Sequence, residues 1–172
     1  MISYADFTAA APSIATPIRD RLEHAGLTML ATIRLDGSPR ISPVEVTFLD
    51  DRLYFGSMPG ARKAADLDRD PRCALITPLA DKRDMGGEGK LFAEAHLVTD
   101  LAEAERVIRA NADGNEIDPD ALLGSPVYEV LVGAAAWQHV EQDAWTTASW
   151  KHGQAIRHRR RIGATGAPED IT

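Results

Sequence analysis

The sequence predicts a mainly β protein whose antiparallel strands curl into a closed or partly closed barrel of six to seven strands. Three observations carry this. Short apolar runs recur at strand spacing from Leu27 to Trp150. Several of their connections are tight turn signals, Asp36-Gly37 and Asp50-Asp51 among them. Helical patterns enter at few points and never alternate regularly with strands, which argues against a doubly wound parallel sheet. No internal repeat or second domain is visible, so residues 1–172 read as a single domain.

Residues 1–13 read as a loose N-terminal arm. Thr16-Pro17 supplies an N-cap followed by proline, and Ile18, Leu22 and Ala25 continue as a helical stripe that Gly26 ends. Leu27, Met29, Ala31 and Ile33 alternate with their neighbours at strand spacing, and Arg40 to Leu49 returns across the Asp36-Gly37 turn to make a hairpin. A third strand ends at Leu53-Tyr54-Phe55, and Arg72 to Pro78 reads as a buried strand. Residues 80–90, polar and rich in glycine, read as a mobile loop before the strand Leu91 to Thr99. Asp100 and Glu103 form a capping box for a helix with Leu101, Ala104, Val107 and Ile108 on one stripe. After a turn-rich stretch at 111–124, Val127 to Val140 reads as a long strand interrupted at Gly133, and 144–150 as another. Residues 162–172 read as a frayed tail.

Composition bounds the function. A formal net charge of −7 argues against nonspecific nucleic-acid binding over the whole surface. No apolar run has the length of a membrane span, and the N-terminus has neither a basic nor an apolar leader region. The single cysteine, Cys73, has no internal partner for a disulfide, so a cytoplasmic protein is expected. The histidines at 24, 96, 139, 152 and 158 show no metal-ligand spacing, and no metal site is expected. Ser57 and Ser149 lack the context of a nucleophilic serine.

The most informative stretch is LYFGSMPGARKAADLDRDP, residues 53–71. A strand delivers Ser57, a glycine turn, and then Arg62 and Lys63 at the start of a short helix. Free N–H groups and a partial positive charge gather at a helix N-terminus, where dipole logic favours acids over cations. Two cations placed there suit a bound phosphate. They also suit an ordinary solvated helix face. Arg157, Arg159, Arg160 and Arg161 leave a similar choice between a solvated tail and a collector of anionic ligands.

The run LATIRLDGSPRISPVEVTFLDDRLYFGSMPGARKAADLDRDPRCALIT resembles the N-terminal half of the pyridoxamine 5′-phosphate oxidase-like FMN-binding split-barrel flavoproteins, in particular their flavin- or deazaflavin-dependent oxidoreductase branch. The likeness rests on a DG hairpin, an R-x-S-P strand, YF-x-S and an RKA-x-x-L-x-x-DP helix; it covers residues 20–99 and returns at WKHGQAIRHRRR. The resemblance implies a split β-barrel, a cofactor phosphate held by Arg62 and Lys63, and flavin contacts from Ser57 and Arg40, with Ser42 on the face of Arg40. Glu45 stands where the oxidases proper have a Lys, a reversal of charge. Near the end, Trp150, Gly153 and Arg157 follow the family's order for cofactor contacts, but Arg159 stands where those oxidases have a His. A strict pyridoxamine phosphate oxidase is therefore the less expected member.

The implied protein is a homodimer that builds its cleft from both subunits. It would pass a hydride between FMN, or the deazaflavin coenzyme F-420, and a small-molecule substrate. No catalytic acid or base stands out. The alternative within the same likeness is a non-catalytic flavin- or haem-binding split barrel.

Overall fold

The computed structural model describes residues 1–78, 86–113, 118–163 and 165–171. Two helices, α1 (Tyr4–Ala10) and α2 (Pro12–Ala25), precede the strands β1 (Leu27–Ile33), β2 (Pro39–Leu49) and β3 (Arg52–Gly56). Then follow α3 (Arg62–Arg69), β4 (Arg72–Ile76), β5 (Glu88–Leu97) and α4 (Leu101–Asp113). After a 3₁₀ turn at Pro119–Leu122 come β6 (Val127–Glu141), β7 (Ala144–Lys151), β8 (Arg157–Ile162) and β9 (Glu169–Ile171).

One antiparallel sheet runs β3-β2-β1-β4-β5-β6-β7-β8-β9, and β3 pairs back onto β6 through Tyr54↔Glu129, Phe55↔Tyr128 and Gly56↔Val127. Six strands thus close into a barrel and three overhang it, as the split-barrel reading expects. The long strand β6 belongs to both parts. Its first third closes the barrel, and Ala134–Glu141 departs to pair with β7. The break falls at Gly133, which is left over between the pairs Ala93↔Val132 and Phe92↔Ala134. Such a bulge bends a strand and lets it change partners. A Cβ at Gly133 would lie 2.4 Å from the Met1 sulfur, so only glycine fits beneath the N-terminal chain.

The turns follow their residues. Gly37 takes a left-handed φ of 81°, and Asp36 accepts hydrogen bonds from the Ser38 N–H at 2.9 Å and hydroxyl at 2.6 Å. Asp50 and Asp51 both sit at positive φ, the geometry of a tight hairpin turn whose twist matches the flanking strands. Asp100 caps α4 by accepting from the Ala102 and Glu103 N–H groups. The reciprocal half of the capping box is not made, because the Glu103 carboxylate accepts from Arg52 at 2.8 Å and Tyr54 at 2.6 Å instead.

Leu30, Leu53, Phe55, Leu91 and Val130 fill the barrel, and Tyr4, Phe7, Ile14, Ile18 and Leu22 cover it from the N-terminal helices. A smaller cluster of Tyr54, Val107, Ile108 and Val127 lies beneath α4.

Four expectations are corrected here. Residues 1–13 are no loose arm. Ser3 caps α1 by accepting from the Asp6 N–H, Tyr4 and Phe7 are wholly buried, and the Tyr4 hydroxyl donates to the Ala15 carbonyl at 2.8 Å. The second helix starts at Pro12, ahead of Thr16-Pro17, because Ile14 already joins the Ile18–Leu22 stripe; Pro17 lies inside it. Part of the expected loop is strand: Glu88, Gly89 and Lys90 belong to β5. Residues 80–85 of that loop lie outside the described residues. Within the expected frayed tail, Glu169–Ile171 pairs with β8 as the short strand β9.

No helix among the described residues is long and apolar enough to cross a membrane.

Candidate functional site

The Arg62–Lys63 turn is built as the sequence suggests. Gly60, at φ 74°, and the bond from the Ala61 N–H to the Met58 carbonyl turn the chain out of β3 into α3. The N-cap, Ala61, offers no side-chain acceptor, and no acid occupies the first turn. The Ala64 and Ala65 N–H groups both return to the Ala61 carbonyl, which leaves those of Arg62 and Lys63 without a helical acceptor. Among the described residues, neither Arg62 nor Lys63 makes an ion pair or side-chain hydrogen bond. Arg62 is exposed and Lys63 half-buried. Two free cations and two free amides at one helix start have the donor chemistry of a phosphate cradle. Ser57, one turn upstream, is 5% exposed and is held by its N–H, which donates to the Pro126 carbonyl at 2.9 Å. Its hydroxyl has only a long contact, 3.4 Å, to the Met58 carbonyl.

Arg40 stands close by but is already committed. Its Nε donates to Asp66 Oδ2 at 2.6 Å, and Thr32 donates to the same oxygen at 2.9 Å. Arg69 adds a longer pair to Asp66 at 3.7 Å and donates to the Ile33 carbonyl. Asp66 is nearly wholly buried on the inner side of α3. The Arg40 guanidinium, and after it the Thr32 hydroxyl, hold the Asp66 carboxyl below the usual carboxylate range against the opposing effect of burial. The group therefore clamps α3 to the β1–β2 hairpin. Sequence reading missed this clamp, although an acid beside Ala64 and Leu67 on the buried side of α3 was its available signal. Ser42, half-buried and paired with Leu30, shares the strand side of Arg40.

Beyond this cluster β2 has a free edge, because β3 pairs only with Val46–Leu49 while Pro39–Glu45 pair with β1 alone. The outer side of the neighbouring sheet is apolar. Register lines up Ile41, Ala31, Ala74 and Phe92 across four strands, with Ile41 67% and Phe92 52% exposed.

Trp150 and Arg157 lie apart from this end. Trp150 on β7 is 5% exposed, and its ring packs on Phe7 of α1 at 5.1 Å. Arg157 opens β8 opposite Ser149, so it lies on the other sheet face from Trp150. Its guanidinium is exposed and pairs with Asp170 at 3.3 Å. No hydrogen bond, ion pair or ring contact among the described residues joins Trp150 or Arg157 to Arg40, Ser57, Arg62 or Lys63. The sequence-selected residues thus fall into two groups on one chain. A hollow of about 410 Å³ lies elsewhere, between the ends of α2 and α4, lined by Glu23, Glu45 and Asn111.

A family model described as pyridoxamine 5′-phosphate oxidase matches residues 14–131, more than half of the chain. The chain belongs to that family. Solved structures agree on the fold. One is a Clostridium acetobutylicum protein related to general stress protein 26, of the pyridoxinephosphate oxidase family. It is 12% identical, with a TM-score of 0.60 over 78% of this chain and 91% of that one. Campylobacter jejuni ChuZ aligns with a TM-score of 0.71 at 9% identity, over 94% of this chain and 67% of its own. HutZ, the haem storage protein of Vibrio cholerae, aligns at 0.59 and 14% identity, over 87% and 96%. No curated protein matches the sequence.

Proposed function

We propose that this family member binds FMN, with coenzyme F-420 as the alternative, and uses it as an oxidoreductase on a small organic substrate. The observation that carries this reading is the pair Arg62 and Lys63, which have no internal acceptor at a helix start that also has two free amides. These groups fit a cofactor phosphate, with Ser57 beside them. Arg40 fits less well, since Asp66 already occupies it. Trp150 fits less well too, because Phe7 covers its ring. A bound flavin or deazaflavin supplies the hydride chemistry; the chain supplies anchoring, orientation and shielding from water.

Two observations support a homodimer. The residues selected from the sequence divide into groups that do not meet within one chain, and an exposed apolar face flanks the free edge of β2. A second copy laid on that face would cover it and bring its own β7–β8 toward the α3 turn. A cytoplasmic setting agrees with the lone thiol at Cys73.

A second reading, a non-catalytic flavin or haem carrier, draws on the similarity to the Vibrio haem storage protein. The absorption spectrum of freshly purified protein separates these readings, since flavin, deazaflavin and haem bands differ. Turnover with a hydride donor then separates enzyme from carrier. A haem spectrum, or bound flavin that no donor reduces faster than free flavin, contradicts the oxidoreductase.

A further inference from the structure

Strand β8 sets Arg157, Arg159 and Arg161 on one face of the sheet, because alternate residues of a strand share a side. Register places them beside Ser149, Thr147 and Trp145 of β7, and Lys151 continues the same β7 side. Between Ala144 and Pro168 the sequence has no acid, in a chain whose net charge is −7.

One carboxylate serves this row. Asp170 of β9 lies opposite Arg159 and pairs with Arg157 at 3.3 Å and Arg159 at 3.1 Å. It sits on a strand of only three residues, all exposed. Arg161 has no carboxylate among the described residues. Its guanidinium lies over the Trp145 ring at 5.4 Å, and its buried Nε has no acceptor.

We infer that this face is a binding site for a linear oligophosphate of the kind a nucleotide carries, and that Asp170 fills part of it in the free protein. Alternate arginines on a strand stand roughly 7 Å apart, so the row spans roughly 13 Å. Three guanidinium forks and the Ser149 and Thr147 hydroxyls offer more donors than one carboxylate can accept. A phosphate chain brings acceptor oxygens to every rung, and the planar fork suits them bidentately. Binding displaces Asp170 and engages Arg161. The face is separate from the α3 turn, so the inference stands independently of the cofactor reading.

Calorimetric titration with inorganic tripolyphosphate tests it. Asp170→Asn removes the internal competitor and tightens binding about threefold, the effect of a weak exposed ion pair. The double variant Arg159→Ala/Arg161→Ala weakens binding by roughly tenfold or more. Lys63→Ala leaves it unchanged, and triglutamate binds less tightly than tripolyphosphate. Equal affinity of wild type and the double variant overturns the site. Unchanged affinity in Asp170→Asn overturns the competition. Loss of binding in Lys63→Ala moves the anion to α3, and equal binding of triglutamate overturns the choice of phosphate.

Discussion

The two sides of α3 treat charge in opposite ways. Inside, Asp66 gathers Arg40 and Thr32 at 2.6 and 2.9 Å and becomes part of the packing. At its start, Arg62 and Lys63 have no such partner. Both sets come from one stretch of sequence, and a motif read as uniformly cofactor-binding divides here into a structural clamp and a free anion cradle. Placement explains the division. A carboxylate nearly free of solvent must be paired to remain charged, whereas cations at an exposed helix start can stay hydrated until a ligand arrives.

The clamp is expected to give the largest effect on stability. Asp66→Ala strands Arg40 and should cost about 2–3 kcal/mol, measured by denaturant unfolding. A loss below half of that would show that Arg40 is not committed and remains available to a ligand. The same pair sets an acid dependence. Because the folded protein holds the Asp66 carboxyl below its unfolded range, its contribution is fully present above about pH 4. It is lost as pH falls through the depressed folded value. Asp66→Asn should flatten that part of the stability profile, and an unchanged acid limb would contradict the clamp.

Cys73 offers an intermediate effect. Burial pushes its thiol up to about 12, so native protein at pH 8 should react with a thiol reagent at least about tenfold more slowly than unfolded protein. Rapid native labelling would show that the β4 region opens readily. The smallest effect belongs to the cradle. Lys63→Ala should change apo stability by less than about 0.5 kcal/mol, because no internal contact is lost. A larger loss would make Lys63 structural.

The sequence made some of this contrast legible and hid the rest. The Asp36-Gly37 and Asp50-Asp51 turns, the α3 helix and the break at Gly133 were readable because local backbone demands select those residues. The six-strand closure followed from the number and connection of strands. The N-terminal helix was missed because only Tyr4 and Phe7 mark its apolar side among alanines, and their burial depends on strands far along the chain. Thr16-Pro17 looked like a helix start, but the apolar stripe begins earlier at Ile14. Nor could the sequence reveal that Arg40 is spent on Asp66, 26 residues away. It equally hid that Trp150 and Arg157 occupy opposite sheet faces, since that depends on register.

The central claim is that the α3 start holds a cofactor phosphate, and a fluorescence titration of FMN against wild type and Lys63→Ala tests it most directly. Each charge-assisted hydrogen bond to phosphate contributes roughly 1.5–3 kcal/mol, so the variant should bind FMN about one to two decades more weakly. Riboflavin, which lacks the phosphate, should bind both proteins weakly and alike. Equal FMN affinity in the two proteins would place the phosphate elsewhere and contradict the account.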